Sequence, residues 1–192
     1  MSGRRLSSAD RRAQLVGVAR DVIATEGADA LTLGRLAERA GISKPVVYDH
    51  FPSRAALLLS LYEDFDRRQI ADLRAALERT PPDVRQRVEA IAAAHVACAV
   101  SQGVELGGVL AALVGTPELE RARRESERHY LDLCRRAIHE ADADADLDEA
   151  AAIAFLGAAD ALGQAAARGE IGPELARSTT AAVLRGLVGR AP

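Results

Sequence analysis

Apolar residues recur along most of this chain at the spacing of amphipathic helices. In the first such segment the following residues share one face: Leu15, Val16, Ala19, Val22 and Ile23. No segment alternates polar and apolar residues as a half-buried strand does. The pattern predicts an all-α fold of about nine helices. We place two short helices within 32–51 and the others at 9–26, 54–79, 83–101, 105–114, 117–140, 148–168 and 174–188.

Glycine and proline mark most of the predicted helix ends. Gly27 ends the first helix, Gly103 separates 83–101 from 105–114, and Pro81 with Pro82 stops the helix before them. The tract 141–148 alternates Ala and Asp. We interpret it as a solvated linker that also caps the following helix with an acidic residue.

Segment 32–54 has the pattern of two short helices joined by a tight turn. Apolar residues form a stripe that ends at Ala40, and Gly41 supplies the left-handed residue that closes a helix. Ser43 is a natural N-cap for the next helix, and Pro45 falls in a first turn whose N–H groups have no partner within the helix. The segment therefore predicts a helix-turn-helix, whose second helix enters the major groove of DNA.

Residues 8–60, about a third of the chain, resemble the N-terminal domain of TetR-type transcriptional repressors. The resemblance is carried by Thr32, Leu36-Ala37, Ala40-Gly41-Ile42-Ser43 and Tyr48-Asp49-His50-Phe51-Pro52-Ser53-Arg54. It implies a DNA-binding domain at 1–52, with a basic arm at 1–8, and a helical ligand-binding and dimerisation domain at 53–192. It further implies a homodimer paired through its last two helices, with double-stranded operator DNA and a small-molecule effector as partners.

The second helix of the motif carries the candidate base contacts. Its period turns Val47 inward and leaves the residues around it facing outward. Val46 can contact a thymine methyl, and Lys44 can reach a guanine edge or a phosphate. The resemblance places Tyr48 and His50 on the DNA backbone and uses Thr32 and Arg54 to clamp flanking phosphates. The full set of predicted DNA-binding residues is Thr32, Arg35, Ser43, Lys44, Pro45, Val46, Tyr48, His50 and Arg54.

Two features of this region allow more than one interpretation. A carboxylate at Asp49 repels phosphates unless it accepts a hydrogen bond from cytosine N4 or pairs with Arg54. The basic lead-in is either an arm that enters the minor groove or a tail without specific contacts. It consists of Arg4, Arg5, Arg11 and Arg12.

Charge is distributed unevenly along the chain. The 192 residues carry 25 Lys or Arg and 28 Asp or Glu, a net charge of −3. Residues 1–60 hold nine basic and six acidic residues, which gives +3, so the remainder carries −6. The basic excess lies with the helix-turn-helix, as a domain that faces phosphates requires.

The C-terminal helices hold the candidate effector site. Polar groups among apolar ones are what a ligand pocket needs, and we predict that the pocket is lined by Tyr62, His95, Cys98, Gln102, His129, Tyr130, Phe155 and Gln164. Thiol and imidazole groups on facing helices could also bind zinc or respond to oxidation, and that alternative uses His95, Cys98, His129 and Cys134. No catalytic constellation is found, so we expect neither an enzyme nor a cofactor.

Other features of the chain concern its location. No apolar run follows the first residues, and the most apolar segments, 88–100 and 150–164, fall short of a membrane span. Lys44 is the only lysine, a bias that suggests a GC-rich bacterial genome. We interpret the chain as a cytoplasmic, ligand-responsive transcriptional regulator, with a repressor favoured. The alternatives are a metal- or redox-responsive repressor and a helical-bundle enzyme or carrier.

Overall fold

The computed structural model describes residues 7–190 and confirms the all-α prediction. Within this range lie eight α-helices, one 3₁₀ helix at Ala28–Ala30 and two strands of two residues each. The α-helices are α1 (Ser8–Glu26), α2 (Leu33–Ala40), α3 (Lys44–His50), α4 (Arg54–Arg79), α5 (Val84–Leu113), α6 (Pro117–Ala141), α7 (Glu149–Ala167) and α8 (Pro173–Leu187). Strand β1 (Ala145–Asp146) pairs antiparallel with β2 (Gly189–Arg190).

The predicted break at Gly103 is wrong, because α5 runs through it as one helix of 30 residues. A glycine inside a helix costs only about 1 kcal/mol relative to alanine, which tertiary packing readily outweighs. Beyond Gly103 the buried stripe continues through Leu106, Val109 and Leu113. Packing on this stripe therefore keeps the segment helical.

The interpretation of 141–148 as a solvated linker is also wrong in part. Ala145 and Leu147 are almost completely buried, because this stretch contains β1 and packs against the core. Asp148 does cap the following helix, as predicted, since its carboxylate accepts a hydrogen bond from the Ala151 amide at 2.8 Å.

Contacts along the chain divide it into two compact units. The first extends to Phe65 and includes Glu105–Glu120, and the second comprises Asp66–Val104 together with the chain from Arg121 onwards. The functional boundary predicted between residues 52 and 53 is a different kind of division and stays a prediction.

Large apolar side chains form the core of the first unit. From α1 to the start of α4 the fully buried members include Leu15, Val22, Leu36, Val47, Phe51, Leu57 and Leu61. The intervals at which they recur place one face of each helix inward. The short helices α2 and α3 are therefore held by packing on α1 and α4 rather than by their own length.

The second unit is built on a core that contains many alanines and fewer large residues. Phe155 of α7 is completely buried in it, among residues of α4, α5, α6 and α8. Gly163 of α7 permits a very close approach to α5, because a Cβ atom there would lie 2.6 Å from Cβ of Ala99. Small residues thus determine how closely α5 and α7 can pack.

Candidate nucleic-acid interface

Local hydrogen bonds fix the geometry of the helix-turn-helix. The Thr32 hydroxyl caps α2 by accepting from the Arg35 amide at 3.0 Å. Gly41 ends α2 in the left-handed conformation with φ 66°, and the Ile42 amide donates to the Ala37 carbonyl at 3.1 Å. Ser43 occupies the N-cap position of α3, although its hydroxyl makes no capping bond. The turn therefore forms as the sequence predicts.

The buried and exposed faces of α3 are clearly separated. Val47 is completely buried, whereas the Tyr48 side chain is 54% exposed. Lys44, Pro45 and Asp49 are exposed as well, and Val46 and His50 are partly buried. Five residues of the predicted set, those at 44–46, 48 and 50, thus lie together on or beside one accessible face.

The ammonium group of Lys44 lies beside the first turn of α2. A Cβ atom on Gly34 would lie 3.9 Å from Lys44 Nζ and 3.8 Å from Thr32 Oγ1. Both groups therefore lie on the same side of the N-terminus of α2. An ammonium, a hydroxyl and the unpaired amides of a helix start are typical phosphate ligands.

Arg54 bonds to the backbone of the first unit. Its Nε donates to the Leu31 carbonyl and its Nη2 to the Ala28 carbonyl, both at 2.8 Å. These two bonds tie the start of α4 to the 3₁₀ helix and to the residue that precedes Thr32. Its predicted role as a phosphate clamp stays a prediction, and in this structure the guanidinium has a structural role.

Arg35 is likewise engaged by neighbouring side chains. Its guanidinium donates to both carboxylate oxygens of Glu26, at 3.0 and 2.9 Å, and to Glu38 at 2.8 Å. The hydrogen bonds from Arg35 hold the pKa of the Glu26 carboxyl below its usual value. Arg35 therefore joins the end of α1 to α2, and a DNA contact from it stays a prediction.

The basic lead-in is described in part. Arg4 and Arg5 lie outside the described residues. Arg12 donates to the Ser60 hydroxyl at 2.7 Å, and its guanidinium lies 4.9 Å from the centre of the Phe51 ring. Arg11 donates to Gln14 within α1. These two arginines thus contact the folded unit.

Comparisons with known proteins concern the segment that holds the helix-turn-helix. Residues 15–61 match the family model described as bacterial regulatory proteins, tetR family. Over 88 residues the chain is 40% identical to the HTH-type transcriptional activator FasR of Mycolicibacterium smegmatis. This match covers 46% of this chain and 40% of FasR. It is 33% identical to the regulator EthR of the same organism over 84 residues, or 44% and 39% of the two chains. Residues 15–61 thus carry the helix-turn-helix domain of the TetR family.

The match to these curated TetR-family regulators spans about two fifths of their length. Solved structures extend the likeness of the fold to nearly the whole chain. A protein of unknown function from Rhodococcus sp. RHA1 superposes with a TM-score of 0.76 at 27% identity. The superposition covers 98% of this chain and all of the Rhodococcus chain. A putative transcriptional regulator from Pseudomonas aeruginosa PAO1 gives 0.74 at 23% identity, over 95% and 92% of the two chains. This family consists of regulators rather than enzymes.

In the second unit, three polar side chains from three helices form a hydrogen-bonded cluster. His95 of α5 bonds through Nδ1 to the Tyr130 hydroxyl of α6 at 3.2 Å and through Nε2 to the Asp160 carboxylate of α7 at 3.1 Å. The Tyr130 and Phe155 rings stack with centroids 6.4 Å apart. Burial raises the pKa of the Tyr130 hydroxyl well above its usual value.

The predicted effector residues are thus brought together only in part. His95, Tyr130 and Phe155 meet, and Asp160, which sequence reasoning missed, joins them. The available signal was a single acidic residue inside an alanine-rich helix. Of the other members, Cys98 lies close enough to Tyr130 to act electrostatically on its hydroxyl, and a ligand contact from any of them stays a prediction. Tyr62 belongs to the first unit, His129 and Gln164 are exposed, and Cys98 and Gln102 are partly buried.

His129 lies near a second polar contact, between α4 and α6. Asp66 accepts a hydrogen bond from the Ser126 hydroxyl. Partial burial raises the pKa of the Asp66 carboxyl, while the Ser126 bond and the electrostatic effects of the nearby His129 and Arg67 oppose that rise. His129, which the sequence analysis assigned to an effector pocket, therefore acts electrostatically on the Asp66 carboxylate of α4.

Two observations bear on the alternatives that involve metal or oxidation. Within residues 7–190, no group of three or more His, Cys, Asp or Glu side chains is placed to hold a metal ion. Cys134 is completely buried, and burial raises the pKa of its thiol to about 12. Since the thiolate is the form that reacts and binds metals, Cys134 is an inert core residue at neutral pH.

One helix of the second unit has an exposed apolar surface. By length and composition, α7 could cross a membrane, which the sequence analysis did not expect. Only 28% of that segment is buried, and the exposed residues recur along one face as Ala150, Ile153, Ala154, Gly157, Ala161 and Gln164. The core helix of a soluble protein passes the same test.

Proposed function

We propose that this TetR-family chain is a homodimeric transcriptional repressor that binds a palindromic operator and is released by a small-molecule effector. The observation that supports DNA binding is the accessible face of α3, which presents Lys44, Val46 and Tyr48 from a rigid helix-turn-helix. Because the turn and the caps are formed within the unit, little ordering entropy opposes binding. A preorganised surface of this kind favours affinity.

Two kinds of contact are available from this face. Val46 and Pro45 offer apolar contacts to thymine methyl groups, and Lys44 can reach a guanine edge. Thr32, the first amides of α2 and Tyr48 can bond to phosphates on either side. The family resemblance also assigns His50 to the backbone. Together these contacts would position α3 in the major groove and read a short half-site.

The exposed apolar face of α7 supports a homodimer. Its small residues would allow a second copy of α7 to approach closely, and α8, which packs on α7, adds the exposed side chain of Leu175. Burying this face removes apolar area from water, which is the main driving force of association. Two recognition helices in such a dimer would bind successive major-groove turns, about 34–36 Å apart.

The second unit is the proposed site of effector control. The effector would bind only the arrangement of the dimer that does not fit the operator. It would therefore shift the population towards that arrangement and away from the spacing that the operator requires. By thermodynamic reciprocity the operator would weaken effector binding by the same factor. One solved structure of similar fold is described as the fatty acid degradation regulator FadR from Bacillus halodurans, with a TM-score of 0.67 at 18% identity. At that identity the likeness concerns the fold and does not transfer an effector.

The test is DNA binding by wild type and by the double variant Lys44→Ala/Tyr48→Ala. Footprinting on the intergenic DNA beside the gene of this protein should locate a palindromic site at low salt. We expect the double variant to lose binding by at least about 100-fold, since two to three contacts are removed at about 1–3 kcal/mol each. Sedimentation should show that the variant remains dimeric.

Arg85→Ala is the matched control, because it removes one exposed positive charge from the second unit. Normal binding by the double variant would show that α3 is not the reading helix. A wild-type protein that protects no DNA would contradict the proposed function as a whole. Transcription from the protected promoter, measured with and without the protein, separates a repressor from an activator.

A further inference from the structure

Asp49 lies at the most outward point of α3. At 100° per residue, Pro45 and Asp49 point away from the completely buried Val47, with Val46 and Tyr48 on either side. The Asp49 side chain is exposed. In a complex that seats α3 in the major groove, this carboxylate therefore faces the base edges more directly than Lys44 does.

The cation that sequence analysis offered as a partner for Asp49 is engaged elsewhere. Both described hydrogen bonds of Arg54 go to backbone carbonyls, those of Leu31 and Ala28. Among residues 7–190, the Asp49 carboxylate makes no hydrogen bond or ion pair. A negative charge without a partner, placed on the surface that meets a polyanion, weakens binding unless the DNA itself supplies a donor.

We propose that Asp49 is a specificity-determining residue that accepts a hydrogen bond from the N4 amino group of a cytosine in each operator half-site. This inference rests on the proposed DNA-binding function. A carboxylate can only accept, and the major groove offers two donors, cytosine N4 and adenine N6. Beside adenine N6 lies the acceptor N7, which repels a carboxylate, whereas the neighbour of cytosine N4 on that base is a C–H group. Cytosine is therefore the base that Asp49 fits.

The same carboxylate would also reject other bases. At thymine it would face the O4 acceptor and at guanine the O6 and N7 acceptors, with no donor to satisfy it. Discrimination then comes from a repulsive contact with the wrong base as well as from the bond to the right one. This explains how an acidic residue can be useful on a DNA-binding surface.

In vitro selection from random double-stranded DNA tests the assignment. Wild type should enrich a palindrome with cytosine at one fixed position in each half-site. Asp49→Ala should enrich the same palindrome without a preference at that position. Asp49→Asn should favour adenine there, because an asparagine amide both donates to N7 and accepts from N6. The remaining positions should be unchanged in both variants.

Affinity measurements on the selected operator complete the test. Replacing that cytosine pair by a thymine pair in both half-sites should weaken wild type by about 5- to 20-fold per half-site and Asp49→Ala by less than about 2-fold. Asp21→Asn is the matched control, because it removes one exposed negative charge from α1 and should keep the cytosine preference.

Two outcomes would overturn the proposal, and they differ from a failure of the proposed function. If Asp49→Ala selects the same bases as wild type at every position, Asp49 reads no base. If both Asp49 variants tighten binding to all sequences equally, the carboxylate is only a repulsive charge. If wild type itself enriches no sequence, the proposed DNA-binding function fails, and the role of Asp49 fails with it.

Discussion

The two compact units use their polar side chains in different ways. In the first unit, arginines bond to backbone carbonyls and to neighbouring carboxylates, as Arg54 and Arg35 do, and so hold the helices around the turn. In the second unit, His95 joins two other helices through Tyr130 and the half-exposed Asp160 at the edge of a mainly apolar core. The first arrangement holds the short helices α2 and α3 in place, whereas the second makes the packing of three helices interdependent.

The cores differ in a related way. In the first unit, large buried side chains are distributed over α1 to α4, so each helix has several anchors. In the second unit, the inner face of α7 consists of Ala152, Ala159, Gly163 and Ala166 besides Phe155. A helix that buries mainly methyl groups gains little from each of them. The attachment of α7 therefore depends strongly on one aromatic ring.

Among the variants that test this comparison of the two cores, Phe155→Ala should change the free energy of unfolding the most. Deleting a completely buried phenyl ring removes its transfer energy and leaves a cavity, which costs about 3–5 kcal/mol. The free energy of unfolding, from denaturant titration followed by circular dichroism at fixed protein concentration, should fall by that amount.

Val104→Ala is the control for this change, because the Val104 side chain is 83% exposed and its loss should alter the free energy by no more than about 0.5 kcal/mol. A loss of less than about 1 kcal/mol in Phe155→Ala would show that the alanine packing of α7 is sufficient by itself.

A smaller effect is expected from Arg54→Ala, which tests whether this arginine supports the first unit or binds DNA. Loss of two bonds from a charged donor should lower the free energy of unfolding by about 1.5–3 kcal/mol. Operator affinity should fall, but the slope of log K against log salt should stay the same, because no phosphate contact is lost.

Lys44→Ala provides the contrast for the salt measurement. For Lys44→Ala, the slope of log K against log salt should decrease in magnitude by about 0.9 for each phosphate contact that is removed. If Arg54→Ala changes the slope by the same amount and leaves the protein as stable as wild type, then Arg54 is a phosphate ligand, as the family resemblance implied.

The first unit could be predicted from the sequence because its signals are local. Thr32, Gly41 and Pro45 act within one turn of their own position, so caps and turn follow from neighbouring residues. The sequence did not reveal that Arg54 bonds to Ala28 and Leu31, since these partners lie more than twenty positions away. Which cationic side chains face outward therefore depends on tertiary contacts and not on the local sequence.

The chain from α5 onwards was predicted less well for the same physical reason. Gly103 has the local character of a helix break, yet burial of Leu106 and Val109 keeps α5 continuous. The meeting of His95 with Asp160 spans 65 positions and has no local signature. Periodicity predicted the helices and their inward faces, but it could not tell which polar residues of different helices would meet.

The smallest expected effect concerns Glu26 and tests whether the ion pairs of the first unit stabilise it. The Arg35 bonds lower the pKa of Glu26 in the folded protein relative to its usual value near 4.5. The folded state therefore binds this proton less tightly than the unfolded state does. The stabilisation is present above the unfolded pKa and is lost as the pH falls through the folded pKa.

The melting temperatures of wild type and Glu26→Gln, measured from pH 6 to pH 3, should show this. Wild type should melt slightly higher at pH 6, and the difference should disappear towards pH 3, because the protonated carboxyl resembles the amide. Glu78→Gln, an exposed position without an ion pair among the described residues, should give no such trend. Since the Glu26–Arg35 pair is solvent-accessible, added salt should reduce the difference at pH 6. A difference that is constant with pH would mean that the ionised carboxylate of Glu26 stabilises the fold no more than its protonated form does.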